Sequence, residues 1–448
     1  MFNALFTKTE EYNKLAQALG SPGACALFGV PGAGRALIYA ALAQALGRPL
    51  CIVTPGEAEA TRFAGDLNAL GITAAVFPAR DYVLRPIEGT GREYEYRRLA
   101  VLGDLVGGRL QAVCVPDEGL TQYTTPRAEF CANTRTLHPG DTLPRAELTA
   151  LLYGAGYARR DQVDGPGQFS IRGDIVDIYA PDMKQPARLE FWGDEIDTMH
   201  SFDLATQRRD EPIEKIYVSP AREVLFAQPA EAAALIRSCI KKARGKRRTA
   251  LEACTAADLA QLDGGAMPVD MDKYLTLRYP EPATLLDYFD DPLLILEEPA
   301  SLREAARATA YRRGEEFSAL MEDGALAPGL DKLYTEAGWL WAQAAAHCTL
   351  CAENFARSMP DIPLKAIVNA PAHTLPAWGG EVAALLEDIQ PLCSGGAAVT
   401  VMAGTPRAAA GLAADLRTKG LQVTTDAAAA GTAGLVQVLP WQLSAGCS

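Results

Sequence analysis

ACALFGVPGAGRALIYAALAQAL, residues 24–46, decides the fold. ACALF (24–28) is short and apolar and reads as a buried strand, whereas RALIYAALAQAL (35–46) has the length of a helix. Between them, Gly29-Val-Pro-Gly-Ala-Gly34-Arg35-Ala36 follows a strand and opens a helix, the setting of a phosphate-binding loop. Gly29, Gly32 and Gly34 would let backbone N–H groups converge on phosphates. Two side chains should complete such a site, a lysine for the β/γ phosphates and a Ser or Thr hydroxyl for magnesium. Arg35 and Ala36 stand there instead. Arginine keeps the charge with another shape and reach, and alanine ligates no metal. Three readings stay open: a vestigial loop kept for its strand-to-helix turn, nucleotide binding without hydrolysis, and a working NTPase. The missing hydroxyl favours the first.

Outward from this stretch, PLCIVTP (49–55), AAVFP (74–78) and QAVCVP (111–116) read as further strands, and EAEATRFAGDLNALG as a helix ended by Gly71. Strands alternating with helices give parallel βαβ units. Residues 135–218 change to period-two alternation with turns at DGPG (164–167) and WGDE (192–195), plus one helix over 145–156. Helical texture returns over 220–262. PLLILEE (292–298) is a buried strand ending in Glu297-Glu298, where a nucleotide site would hold its acidic pair. The proline-rich SMPDIPLKAIVNAPAHTLPAW reads as a linker. EVAALLEDI, AAVTVMA, PRAAAGLAADLRTKG and LQVTT then start a new α/β segment, and after VQVLPWQLSAGC the chain reads as cut short. The expected fold class is α/β: a vestigial P-loop, RecA/helicase-like split domain with an inserted small β-rich α+β domain, followed by a further small α/β domain. The expected boundaries are 1–120 and 216–357 for the two halves, 121–215 for the insertion, 358–377 for the linker and 378–448 for the last domain.

The 448 residues are too many for one core. A formal charge of −13 argues against a whole-surface grip on DNA, although a local basic patch or a protein partner remains open. MFNALFTKTEEYNKLAQ is neither a signal peptide nor a membrane anchor, so a cytoplasmic protein without a membrane partner is expected. Cysteines such as Cys25, Cys51, Cys114 and Cys239 read as reduced core thiols, in keeping with that compartment. Cys348 and Cys351, beside His347, form the only CxxC. No second ligand pair for zinc accompanies it, so no metal site is expected. Their spacing of three places both thiols on one helical face, as core.

The stretch richest in function is GQFSIRGDIVDIYAPDMKQPARLEFWGDEIDTMHSFDLATQR, residues 167–208. Alternation sends Phe169, Ile171, Leu189 and Phe191 inward, and Ser170, Arg172, Arg188, Glu190 and Trp192 outward. Gly173 and Gly193 allow tight turns or bulges. Exposed Trp and Arg are enriched at interface hot spots. The competing reading packs Trp192 under a loop and leaves the arginines in surface ion pairs of small value. The basic run Lys241-Lys-Ala-Arg-Gly-Lys-Arg-Arg248 is either a solvated helix end or a contact for DNA or an acidic surface, and Gly245 makes a continuous helix doubtful.

The pattern RGDIVDIYAP…RLEFWGDEID…FD..TQR resembles a segment shared by the excinuclease protein UvrB and the bacterial transcription-repair coupling factors. The resemblance runs on through FPARDYVLRP (77–86), LLYGAGYARRDQV (151–163), TQRRDEPIEKIYVSPAREV (206–224) and ATLLDYFDDPLLILEEP (283–299), and into the α/β segment after the linker. It implies that the β-rich domain docks the damage-recognition ATPase UvrA, with partner contacts at Arg172, Arg188 and Trp192. The lost Lys and Ser/Thr favour the coupling factors over UvrB. So does the interval from Phe77 to Arg98, too short for a tyrosine-rich damaged-DNA clamp, with Tyr82, Tyr94 and Tyr96 its only tyrosines. The resemblance implies that ATP, magnesium, RNA polymerase and DNA belong to motor and polymerase-binding segments not present here. It leaves this chain with recruitment in transcription-coupled nucleotide excision repair, no catalytic residues and no cofactor. The alternative is a diverged UvrB-like ATPase that binds damaged DNA.

Overall fold

The structure, a computed structural model, describes residues 9–84, 92–268, 270–375, 380–429 and 431–447. The first eight residues of the N-terminal stretch and residues 85–91 of the Phe77–Arg98 interval lie outside that description. The strands before residue 120 are β1 (Gly23–Phe28), β2 (Leu50–Thr54), β3 (Ala74–Val76) and β4 (Ala112–Pro116). A second group follows: β5 (Arg135–Leu137), β6 (Ala158–Arg159), β7 (Gln168–Arg172), β8 (Ile175–Tyr179), β9 (Ala187–Trp192), β10 (Glu195–Phe202), β11 (Arg209–Pro212) and β12 (Ile216–Val218). Then come β13 (Leu293–Glu297), β14 (Cys348–Glu353) and β15 (Leu364–Asn369), and finally β16 (Thr374–Leu375), β17 (Val399–Met402), β18 (Val423–Thr424), β19 (Val436–Leu439) and β20 (Gly446–Cys447).

One parallel sheet, ordered β15-β1-β14-β13-β2-β4-β3, takes strands from both sides of the β5–β12 segment. Its central strands β1, β2, β4 and β13 are mostly apolar because both faces are covered, whereas the edge strand β15 alternates buried and exposed residues. Leu27, Ile52, Cys114 and Ile295 enter one core with the helices Gly32–Leu46 and Glu57–Ala69; Phe28, Val53, Val115 and Leu296 enter the other with Glu93–Val106. Three α/β layers result, as the sequence implied.

Two expectations need correction. The helix Trp339–Ala346 stops before His347, and Cys348–Glu353 is a central strand between β1 and β13. Pairing on both sides decides its conformation, where the alanine-rich flank had suggested helix. On a strand, a spacing of three turns the thiols to opposite faces, Cys348 to the first core and Cys351 to the second. They are core, as expected, yet they cannot share a metal ion. Burial pushes the Cys351 thiol up to about 12. The supposed linker also contains an edge strand: β15 pairs with β1 inside the proline-rich stretch. Proline is tolerated at strand starts and edges, where fewer ladder donors are needed, so Pro363 and Pro371 can flank it.

The β5–β12 segment forms its own body. The sheet β11-β10-β9-β8-β7-β6 packs its inner face on the helix Arg145–Gly154, and β5 pairs with β12 where the segment closes. The helices Pro229–Lys242 and Gly245–Asp263 share a further core with residues 320–333. At the C-terminal end, β17-β19-β18 form a parallel sheet with the helices Val382–Ser394 and Pro406–Thr418. The chain after this last sheet returns to the helix Glu57–Ala69, where the Ser444 amide and hydroxyl both donate to Asp66, each at 2.7 Å. No helix among the described residues is long and apolar enough to cross a membrane.

A buried polar junction joins the pieces. Arg98, fully buried, donates through Nε to Glu223 at 2.6 Å and through Nη1 to Gln122 at 2.9 Å. Arg80 reaches Asp272 with both terminal nitrogens, at 2.8 and 3.1 Å, and Glu223 at 3.4 Å. The Glu223 amide donates to Glu95 at 3.0 Å. Residues before the insertion, just after it and in the helical body thus meet in one network. Removing one member of a buried pair strands the other charge and costs about 3–5 kcal/mol. We predict that Arg98→Ala lowers the unfolding free energy in urea by that amount, whereas Arg97→Ala, on the more open side of the same helix, changes it by less than about 1 kcal/mol.

Candidate functional site

Two places inherit the sequence expectations: the loop after β1 and the outer face of the inserted sheet. The loop keeps its turn. Gly29 has φ +87, a region few residues other than glycine adopt, and a Cβ there would lie 3.2 Å from the Ala370 carbonyl oxygen. Its amide is already used, donating to the Glu353 carbonyl at 3.2 Å. Gly34 and Ala36 are buried in the first turns of the helix that begins at Gly32. The Arg62 guanidinium lies over Gly32, so close that an added Cβ would come within 2.7 Å of it.

Arg35 does not point out toward a ligand. It is buried, its Nη1 paired with Glu297 and its Nη2 with Glu298 at 2.5 Å. Nε donates to the Val30 carbonyl at 2.8 Å, and Nη2 also donates to Asn354 at 3.1 Å. The Tyr39 hydroxyl donates to the remaining oxygen of Glu297. Burial still holds the Glu297 carboxyl above the usual carboxylate range. Arg35 therefore meets both carboxylates of the Glu297–Glu298 pair from within the protein. Glu298 sits at φ +48, a left-handed conformation consistent with the tight strand-to-helix exit at this point.

The inserted sheet follows the alternation read from sequence. Phe169, Val176, Ile178, Leu189 and Phe191 lie in its core, with Ile171 at the margin. The register Ser170↔Asp177↔Arg188 and Ile175↔Glu190 puts Ser170, Arg172, Asp177, Arg188, Glu190 and Trp192 on the opposite face. Gly173 (φ +61) and Gly193 (φ +64) open the two-residue turns of adjacent hairpins, as expected. Trp192, at the tip of β9, is 83% exposed; it is not tucked under a loop.

The arginines are less alike than the sequence suggested. Asp177 is fully buried in this face and accepts from Arg188 Nε at 2.7 Å, Arg188 Nη2 at 3.0 Å and Arg172 Nη2 at 2.6 Å. Arg188 also donates to the Gln207 carbonyl at 3.2 Å and stacks on Phe202, its carbon 4.6 Å from the ring centroid. Its side chain is 13% exposed, against 45% for Arg172. Arg188 was expected on an exposed face with its fork open to a partner carboxylate; instead that fork is spent on Asp177. Ser170, expected outward, is covered as well. Sequence reading missed Asp177. Its signal was a carboxylate at an outward strand position, with one arginine on each neighbouring strand.

Residues 136–224 match the family model of the UvrB interaction domain. The transcription-repair-coupling factor of Bacillus subtilis is 29% identical over 308 residues, covering 66% of this chain and 26% of that protein. Those of Mycobacterium bovis and Mycobacterium tuberculosis are each 32% identical over 301 residues, covering 64% of this chain and 24% of theirs. The chain is similar to the N-terminal region of the transcription-repair-coupling factors. The match spans about a quarter of these relatives' length. The UvrB interaction domain is thus the body formed by β5–β12, and its outer face carries Arg172, Asp177, Arg188 and Trp192.

Two outcomes follow. Arg35→Ala leaves Glu297 buried without its cation and should destabilise the chain by about 3–5 kcal/mol in urea unfolding; an effect under about 1 kcal/mol would contradict the pairing. Millimolar Mg-ATP should leave the melting temperature of the wild type unchanged in differential scanning fluorimetry, where a ligand at 100 times its Kd would add about 2.7 kcal/mol.

Proposed function

We propose that this chain is a recruiting module of transcription-coupled nucleotide excision repair, docking UvrA through the outer face of its UvrB interaction domain. On this reading the loop at Gly29–Ala36 is a vestige of a nucleotide site and the chain hydrolyses no ATP. DNA translocation and RNA polymerase contact then belong to other segments of the full-length relatives. The observation that carries the proposal is Trp192, a large aromatic residue left almost wholly in solvent on the same sheet face as Arg172 in the matched domain. Leaving such a ring in water forgoes about 1.5–3 kcal/mol of burial, which a partner that covers it would recover. Interfaces place their energy in such anchors, rimmed by polar groups.

Within this reading the three residues have different duties. Trp192 is the apolar anchor, and Arg172 offers the accessible part of its guanidinium to a carboxylate. Arg188 acts mainly by position, holding Asp177 neutralised so that Arg172 stays fixed above the sheet.

In titrations against UvrA, Trp192→Ala and Arg172→Ala should each weaken binding at least tenfold. Trp192→Ala should move stability by no more than about 0.5 kcal/mol, as expected for a surface position. Arg188→Ala should weaken binding and also destabilise the chain by on the order of 3 kcal/mol, because Asp177 loses two of its charged contacts. Equal affinities for wild type and the Trp192 variant would remove the anchor, and no binding by the wild type would remove the proposal.

A further inference from the structure

The helices Pro229–Lys242 and Gly245–Asp263 pack against each other and turn at Gly245, whose φ of +56 breaks them apart. The turn carries six cations in eight residues, Lys241, Lys242, Arg244, Lys246, Arg247 and Arg248, all exposed, on a chain of net charge −13. The two helices contain four acids, and each is already engaged. Glu231 accepts from the Ala227 amide, Glu252 pairs with Arg248, Asp258 with Lys273 and Asp263 with Arg237. Among the described residues, Lys241, Lys242, Arg244, Lys246 and Arg247 have no ion pair. The second helix adds to the field, since its first turn holds no acid and its N-terminus is capped by no side chain.

We infer that the tip of this helical hairpin binds the phosphate backbone of double-stranded DNA. Protein surfaces that dock other proteins centre on apolar or aromatic anchors, and none of the exposed large hydrophobic residues lies between Pro229 and Asp263. A surface of unpaired Lys and Arg with a helix N-terminus among them suits phosphates, which accept from both. Two packed helices present a tip roughly 20 Å across, and phosphates recur about every 3.4 Å along one strand, so the tip spans roughly six. Arg248 is paired with Glu252 and Arg244 donates to the Lys241 and Ala243 carbonyls, which leaves Lys241, Lys242, Lys246 and Arg247 to meet about four of them. The negative charge elsewhere does not forbid this, because beyond about 10 Å at 0.1 M salt it is screened. The choice of DNA over RNA rests on the repair function proposed above; the phosphate chemistry does not. The site lies on the helical body, separate from the Trp192 face, so UvrA docking and DNA binding can fail independently.

The test is fluorescence anisotropy of a labelled 20-base-pair duplex titrated with the full chain at 50 and 200 mM NaCl. About four phosphate contacts predict an affinity loss of roughly a hundredfold between these salts. Replacing Lys241, Lys242 and Lys246 together by Ala should weaken binding at least tenfold at 50 mM and flatten the salt dependence. All three are exposed and unpaired, so the melting temperature should not move. Removing Lys14, Lys184 and Lys419 as a charge-matched control should leave binding unchanged. Absence of binding at 50 mM, equal loss in both triple variants, or tighter binding to poly-glutamate than to the duplex would each overturn the inference, the last by assigning the tip to an acidic protein.

Discussion

A carboxylate taken out of water has to be met there by a cation, and that constraint organises this protein. Glu223 is met by Arg98 and Arg80, Glu297 by Arg35, and Asp177 by Arg188 and Arg172. Isolated buried charges are prohibitively costly, and paired ones persist only with good geometry. Each group therefore fixes the backbone that carries it. The first joins the parallel sheet to the exit of the insertion and to the helical body. The second closes the loop after β1, and the third stiffens the face of the inserted sheet.

The second and third groups lie at the two places that carry the functional reading, the loop after β1 and the outer face of the inserted sheet. A strand-loop-helix unit with an acidic pair across from it has the layout of a nucleotide site, but here the arginine of the loop turns inward and is consumed by that pair. That pairing fixes the loop to the end of β13. On the inserted sheet, internal pairing leaves one edge of Arg172 and the Trp192 ring exposed. In the proposed docking, an Arg172 already fixed by Asp177 would reduce the ordering cost, which favours affinity from a small patch.

Much of this was legible in the sequence because the periods were clear. Apolar runs such as CIVT and LLILE could only be strands covered on both faces, and the alternation of QFSIR and ARLEFW placed Trp192 outside and Phe191 inside. What was not legible depends on contacts distant along the chain. Nothing local shows that Arg35 reaches residues more than 250 positions away. Cys348–Glu353 takes its strand form from β1 and β13, not from its alanine-rich flank. The proline-rich stretch around β15 reads as a linker until β1 offers it an edge. Asp177 went unread in the sequence, because its burial follows from the two arginines that fold over it.

The central claim is that this chain acts through the outer face of its UvrB interaction domain and not through its nucleotide-like loop. Amide hydrogen exchange, compared with and without saturating UvrA, tests that most directly. Protection concentrated in peptides spanning 168–179 and 187–202, with the segment 29–36 unchanged, is the predicted result. Protection at 29–36 and around Glu297, with the two hairpins unaffected, would contradict it.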